Sequence, residues 1–125
     1  MIKEDYVSFE AAKLLKEKGF DEPCFYYYKD KVLIFSHSLK GRNSYQTDTC
    51  SAPTLQMAMK WLREVHNIHI VIHPYTEMEG HNWSFIFDTF AYGCWQELGI
   101  YITDSWNTYE EAVEAALKYS LENLI

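Results

Sequence analysis

The chain has 125 residues, 48% of them hydrophobic and 17% aromatic, with a formal net charge of −7. That length suits one domain burying about two-thirds of its unfolded surface. No stretch approaches the roughly 18 apolar residues of a membrane span, and the opening MIKEDYVSFE has no signal-peptide core, so a cytoplasmic protein is expected.

Three cysteines, Cys24, Cys50 and Cys94, are an odd number without CxxC spacing, which argues against a disulfide framework and a zinc cage. The charge is uneven. Residues 1–63 hold ten Lys/Arg against eight Asp/Glu, and residues 64–125 hold only Lys118 against ten acids. Phosphate binding depends on Lys and Arg, so the second half is a poor nucleic-acid surface. The only basic pair near a loop, Lys40 and Arg42, would give a salt slope of about −1.8 at roughly 0.9 per phosphate. No direct nucleic-acid binding is expected. The acidic half has a sharper alternative reading, as a face that docks on a basic partner or imitates DNA to inhibit a DNA-binding enzyme.

In chain order, Ser8 is a fitting N-cap for a helix through Lys18, with Ala11, Ala12, Leu14 and Leu15 inward and Gly19 as its left-handed stop. The runs CFYYY and VLIFSH around Lys29-Asp30-Lys31 read as a β-hairpin, apolar on both faces. Residues 38–52, about fifteen, are long for a connection in a compact domain. Thr54 then caps a helix whose stripe of Leu55, Ala58, Met59, Leu62 and Val65 has core-facing spacing, widened by Met57 and Trp61. After His66-Asn67 the period changes to two, and residues 68–73 read as a strand.

A polar turn over 75–81 follows, then a strand in NWSFIFDTF, a loop in AYGCWQELG and a third strand in IYITDSW. Thr108 and Glu111 form a capping box for a last helix burying Val113, Ala116, Leu117, Ser120, Leu121 and Leu124. The order αββ-αββ(β)-α predicts an α+β fold of about five mostly antiparallel strands, with three helices packed on one face of the sheet. From Pro53 onward the order α-β-β-β-α is that of double-stranded RNA-binding domains. Their last helix starts with lysines, and here the same place reads TYEEAVEA.

Candidate chemistry is sparse. His66, His69 and His73 would cluster on a helix, but on a strand positions 69 and 73 stand about 13 Å apart, so they share an ion only with help from elsewhere, such as His81 folding back. Cys50 precedes a helix N-terminus that could lower its pKa, and His37 precedes the same loop, with Asp48 near as an orienting group. Glu77 and Glu79, on a turn, lack apolar surroundings to raise a carboxyl pKa. No nucleophile elbow, phosphate loop or dinucleotide pattern occurs, so no catalytic residue, metal or cofactor is expected. The aromatics exceed the needs of a core. Tyr26, Tyr28, Trp83, Trp95, Tyr101 and Trp106 are the expected members of a binding face, and Lys40, Arg42 and Cys50 are the loop candidates.

The pieces SFEAAKLLKEKGFDE, APTLQMAMKWLRE and TYEEAVEAALKYSLENLI together resemble short proteins of gut Bacteroidales and of their phages and mobile elements, a family with no assigned activity. The resemblance spans nearly the whole chain. It implies a bacterial or prophage cytosolic origin and transfers no functional residues. The expected function is a non-enzymatic protein-interaction module, with a protein partner or a homodimer through a sheet edge or the aromatic face. A small enzyme using Cys50 and His37 is the alternative.

Overall fold

The computed structural model describes residues 1–76, 79, 82–100 and 102–125. Within them lie α1 (Phe9–Glu17), β1 (Cys24–Lys29), β2 (Val32–Lys40), β3 (Thr49–Ser51), α2 (Leu55–His66), β4 (His69–Pro74), β5 (Trp83–Ala91), β6 (Cys94–Glu97) and α3 (Tyr109–Asn123). The class is α+β, as expected, with six strands. They form two antiparallel three-stranded sheets, ordered β2-β1-β3 and β4-β5-β6, where the sequence suggested one. The helices meet at α3, which packs on α1, α2, β4 and β5, while α1 also leans on β3. Ile70, Phe85 and Phe87 form the buried face of the second sheet. Phe87 stacks on Tyr119 of α3 and Phe85 on Trp106.

All three expected N-caps are in place. The hydroxyls of Ser8, Thr54 and Thr108 accept hydrogen bonds from the amides of Ala11, Met57 and Glu111, satisfying N–H groups that have no partner within the helix. At the other end of α1, Gly19 has φ +92°. Phe20 N–H donates to the Leu15 carbonyl and Gly19 N–H to that of Lys16, the paired bonds of a Schellman stop.

Helix α2 ends instead on Asn67, which is left-handed at φ 58°. Its side chain is then used a second time: Nδ2 donates to the Phe90 carbonyl and Oδ1 accepts from Phe90 N–H, as a neighbouring strand would. Two separable costs follow. Asn67→Gly keeps the backbone and loses both bonds, for about 1 kcal/mol. Asn67→Ala adds the left-handed penalty, for about 2 to 3 kcal/mol in all. Urea titration of both variants checks the order.

The β1–β2 hairpin turns through Asp30 and Lys31, both with positive φ, the pair of conformations a two-residue type I′ turn requires. Lys29 to Tyr26 then pair regularly with Val32 to Phe35 before the register shifts, and Cys24 meets Lys40. His37, at φ 62°, lies in the extra length that β2 holds there.

Four expectations are corrected. The 38–52 stretch contains the end of β2 and all of β3. The run AYGCWQELG contains β6, entered through a turn at Tyr92-Gly93 with both φ positive. In IYITDSW, by contrast, the described residues give only an isolated bridge, Trp106 to Trp83, while β6 pairs with the Asp88–Ala91 end of β5. Val65, expected in the core, is 58% exposed.

Candidate functional site

The loop after β2 is held by side-chain bonds to distant backbone. Asn43 donates to the Phe20 carbonyl and accepts from Ser51 N–H, and the Asp21 carboxylate accepts from Ser44 N–H. Gly41 lies so close to this neighbour that a Cβ there would stand 2.7 Å from the Asp21 carbonyl oxygen. Only glycine fits that approach without a backbone shift. The loop thereby buries Arg42, 5% exposed, with its guanidinium 4.2 Å from the Tyr27 ring centroid and its Nη1 without a hydrogen-bond partner.

The three loop candidates are thus separated. Lys40 is exposed at the end of β2, Arg42 lies under the loop against Tyr27, and Cys50 pairs with Tyr28 on the opposite face of the sheet from Tyr27. Lys40 and Arg42 do not form an exposed basic pair.

Cys50 lines a cleft of about 610 Å³ with Phe9, Tyr28, Lys13, Lys16 and Asp48 among its walls. Its groups are largely committed already. Lys16 Nζ donates to the carbonyls of Gln46 and Thr49, Asp48 faces Lys29 at 3.8 Å, and the Tyr28 hydroxyl donates to the Val7 carbonyl. Burial pushes the Cys50 thiol up, against the opposing pull of Lys16 and Lys13. The expected lowering at a helix N-terminus does not occur.

His37 does not reach this thiol. It sits on β2 and Cys50 on β3, with β1 between them, and two strand spacings are about 9.5 Å. The Cys24 thiol is pushed up further, to about 11, by burial and then by Glu22. A raised pKa leaves less thiolate at a given pH. Alkylation with iodoacetamide at pH 8, followed by peptide mass spectrometry, is therefore expected to label exposed Cys94 first, then Cys50, and Cys24 last.

The histidines are dispersed. His66 ends α2 with its ring against Trp61, while His69 and His73 share one face of β4, four residues apart. His81, like Glu77 and Tyr101, lies outside the described residues. Among the described residues no three-ligand metal cluster forms, and no helix is long and apolar enough to cross a membrane.

The expected aromatic face is also divided. Tyr26 packs on Tyr6 and Tyr28 on Phe9 at the first sheet. Trp83 packs on Tyr109 and Trp106 on Phe85 at the second. Of the five described candidates only Trp95 is exposed, beside Phe90 and His69. Most of the tyrosine and tryptophan surplus is spent on joining elements.

What stays uncovered lies elsewhere. Strand β2 is a sheet edge, and Leu33, Phe35, Leu39, Phe25 and Met57 around it are 38–56% exposed. They are neighbours: Phe25 and Phe35 rings lie 6.0 Å apart, and Phe25, Leu39 and Met57 line a hollow of about 170 Å³. The opposite edge, β3, is closed, since Lys16 occupies the Thr49 carbonyl and Asn43 the Ser51 amide. An open edge with an apolar rim is a template for an added strand. The signal was present in VLIFSH, whose apolar residues fall on both parities and so cannot all face one core.

In comparisons with known proteins, no family model, no curated protein and no solved structure matches this chain.

Proposed function

We propose that the protein is a small non-enzymatic interaction module that receives an extended segment of a protein partner along β2. The observation that carries this reading is the pairing of an open edge with five clustered, exposed apolar side chains. Main-chain hydrogen bonds to an edge supply affinity, and side-chain hollows beside it supply selectivity. The cleft at Cys50 supports catalysis less well, because its thiol is raised and its lysine and tyrosine are bonded to backbone. Lys31 and Lys40 against Asp30, with Lys29 already facing Asp48, leave the β1–β2 hairpin a small surplus of positive charge, which favours acidic segments. The resemblance to phage and mobile-element proteins favours a bacterial cytosol as the setting for this module.

Selection from a displayed library of random peptides tests the reading. Extended apolar peptides flanked by acids are expected to be enriched. Their binding is expected to vanish in Leu33→Pro, which removes an outward-facing amide of β2, and to persist in Trp95→Pro at the other sheet. Enriched peptides indifferent to Leu33→Pro would overturn it.

A further inference from the structure

The second sheet carries an edge that complements the first. Strand β6 ends the order β4-β5-β6 and all four of its residues are exposed, with Phe90, Tyr92 and Leu98 exposed around it. The β5–β6 hairpin holds Asp88 and Glu97 and no Lys or Arg, where the β1–β2 hairpin holds three lysines against one aspartate.

The lengths match. The regular part of β2 before its register shift is Val32 to Phe35, four residues, and β6 is Cys94–Glu97, also four. The free groups match as well. Residues flanking a two-residue turn form a hydrogen-bonded pair, and the pattern alternates from there. Lys29 pairs with Val32 and Ala91 with Cys94, so the backbone groups of Leu33 and Phe35 point outward from β2 and those of Trp95 and Glu97 outward from β6. Leu98 N–H donating to the Phe87 carbonyl fits this alternation.

Resting on the reading of β2 as a contact edge, we propose that its occupant is β6 of a second copy, so that the chain associates head to tail. In the antiparallel register that joins the outward residues, Phe35 lies opposite Trp95 and Leu33 opposite Glu97. Lys31 is then diagonal to that carboxylate, a neighbour distance across strands. Like edges fit worse. An antiparallel pair of β2 strands with Leu33 opposite Phe35 sets Lys31 opposite His37, with no carboxylate to meet it, and a pair of β6 strands offers no cation to Glu97. A contact between unlike surfaces closes as a ring or continues as a chain. Two four-residue edges cover less than the roughly 1,200 Å² of a standard complex, so the association is weak and reversible.

The test uses two variants, Leu33→Pro to disable β2 and Trp95→Pro to disable β6, each checked for its fold by circular dichroism. In sedimentation velocity the parent chain is expected to associate with rising concentration, and each variant alone to weaken that association by about tenfold or more, the worth of roughly one hydrogen bond per contact. Mixed, the two are expected to form a 1:1 dimer and nothing larger, since each supplies the edge the other lacks. Lys31→Glu should lower association, and Glu97→Lys in the same chain should restore it. A parent that stays monomeric, a variant that associates as the parent does, or a mixture that stays monomeric overturns the pairing. If the displayed peptides still bind β2 in that event, the edge reading stands without the self-pairing. If they do not, both fall.

Discussion

Leu62→Ala is expected to lower the free energy of unfolding by about 2 to 5 kcal/mol, and Val65→Ala, three residues on, to change it by no more than about 0.5 kcal/mol. Leu62 is fully buried and Val65 is 58% exposed. Denaturant titration of both variants, with the slope unchanged, checks the pair. On the helical wheel Val65 falls between Ala58 and Trp61, and both of those are buried, so hydrophobic period alone places it in the core. What separates the two positions is distance along the helix. The last turn of α2 presents Val65 beyond the surfaces that cover Trp61, which packs against Phe20 and His66. A periodic signal reports which side of a helix is apolar, and says nothing of where the neighbouring layer stops.

Asn43→Ala is expected to cost about 2 to 4 kcal/mol, because it leaves the Phe20 carbonyl and the Ser51 amide without partners, at roughly 1 to 3 kcal/mol each. Asn43→Asp retains an acceptor for Ser51 and loses the donor to Phe20, so an intermediate loss is expected; thermal unfolding of the two variants beside the parent measures both. This residue lies in the stretch where composition was least informative. Its bonds join positions 23 and 8 residues apart in sequence, and no local pattern encodes them.

The legible and illegible parts divide along that line. Caps at Ser8, Thr54 and Thr108 and the stop at Gly19 are local and stand where their residue types predict, and the hairpin at Asp30-Lys31 stands where the flanking runs CFYYY and VLIFSH place it. Strand β3 has only three residues, Thr49–Ser51, too few for alternation to be read. IYITDSW has better strand composition than CWQE, yet β6 follows directly from the Tyr92-Gly93 turn and pairs with the adjoining end of β5. Strand formation depends on a partner as much as on propensity. For the candidate surface, the apolar excess of VLIFSH was visible and the burial of Arg42 was not. A charged residue in a polar loop gives no sign that a loop will fold over it.

The tie between the first and last helices bears on when the protein can fold. Ser8 donates through both its amide and its hydroxyl to the Glu114 carboxylate, across 106 residues of chain, and α1 packs against α3. Both hairpins are sequence-local and can close early, since local pairings meet a small loop-closure cost. The helices have no such independence: α1 and α2 each bury a surface against α3, which follows both of them in chain order. Until it arrives, a nascent chain carries finished hairpins with unseated helices, and the apolar rim of β2 stands open beside them. That interval is when aggregation competes most strongly with folding, so slowing translation before α3 is made should reduce soluble yield.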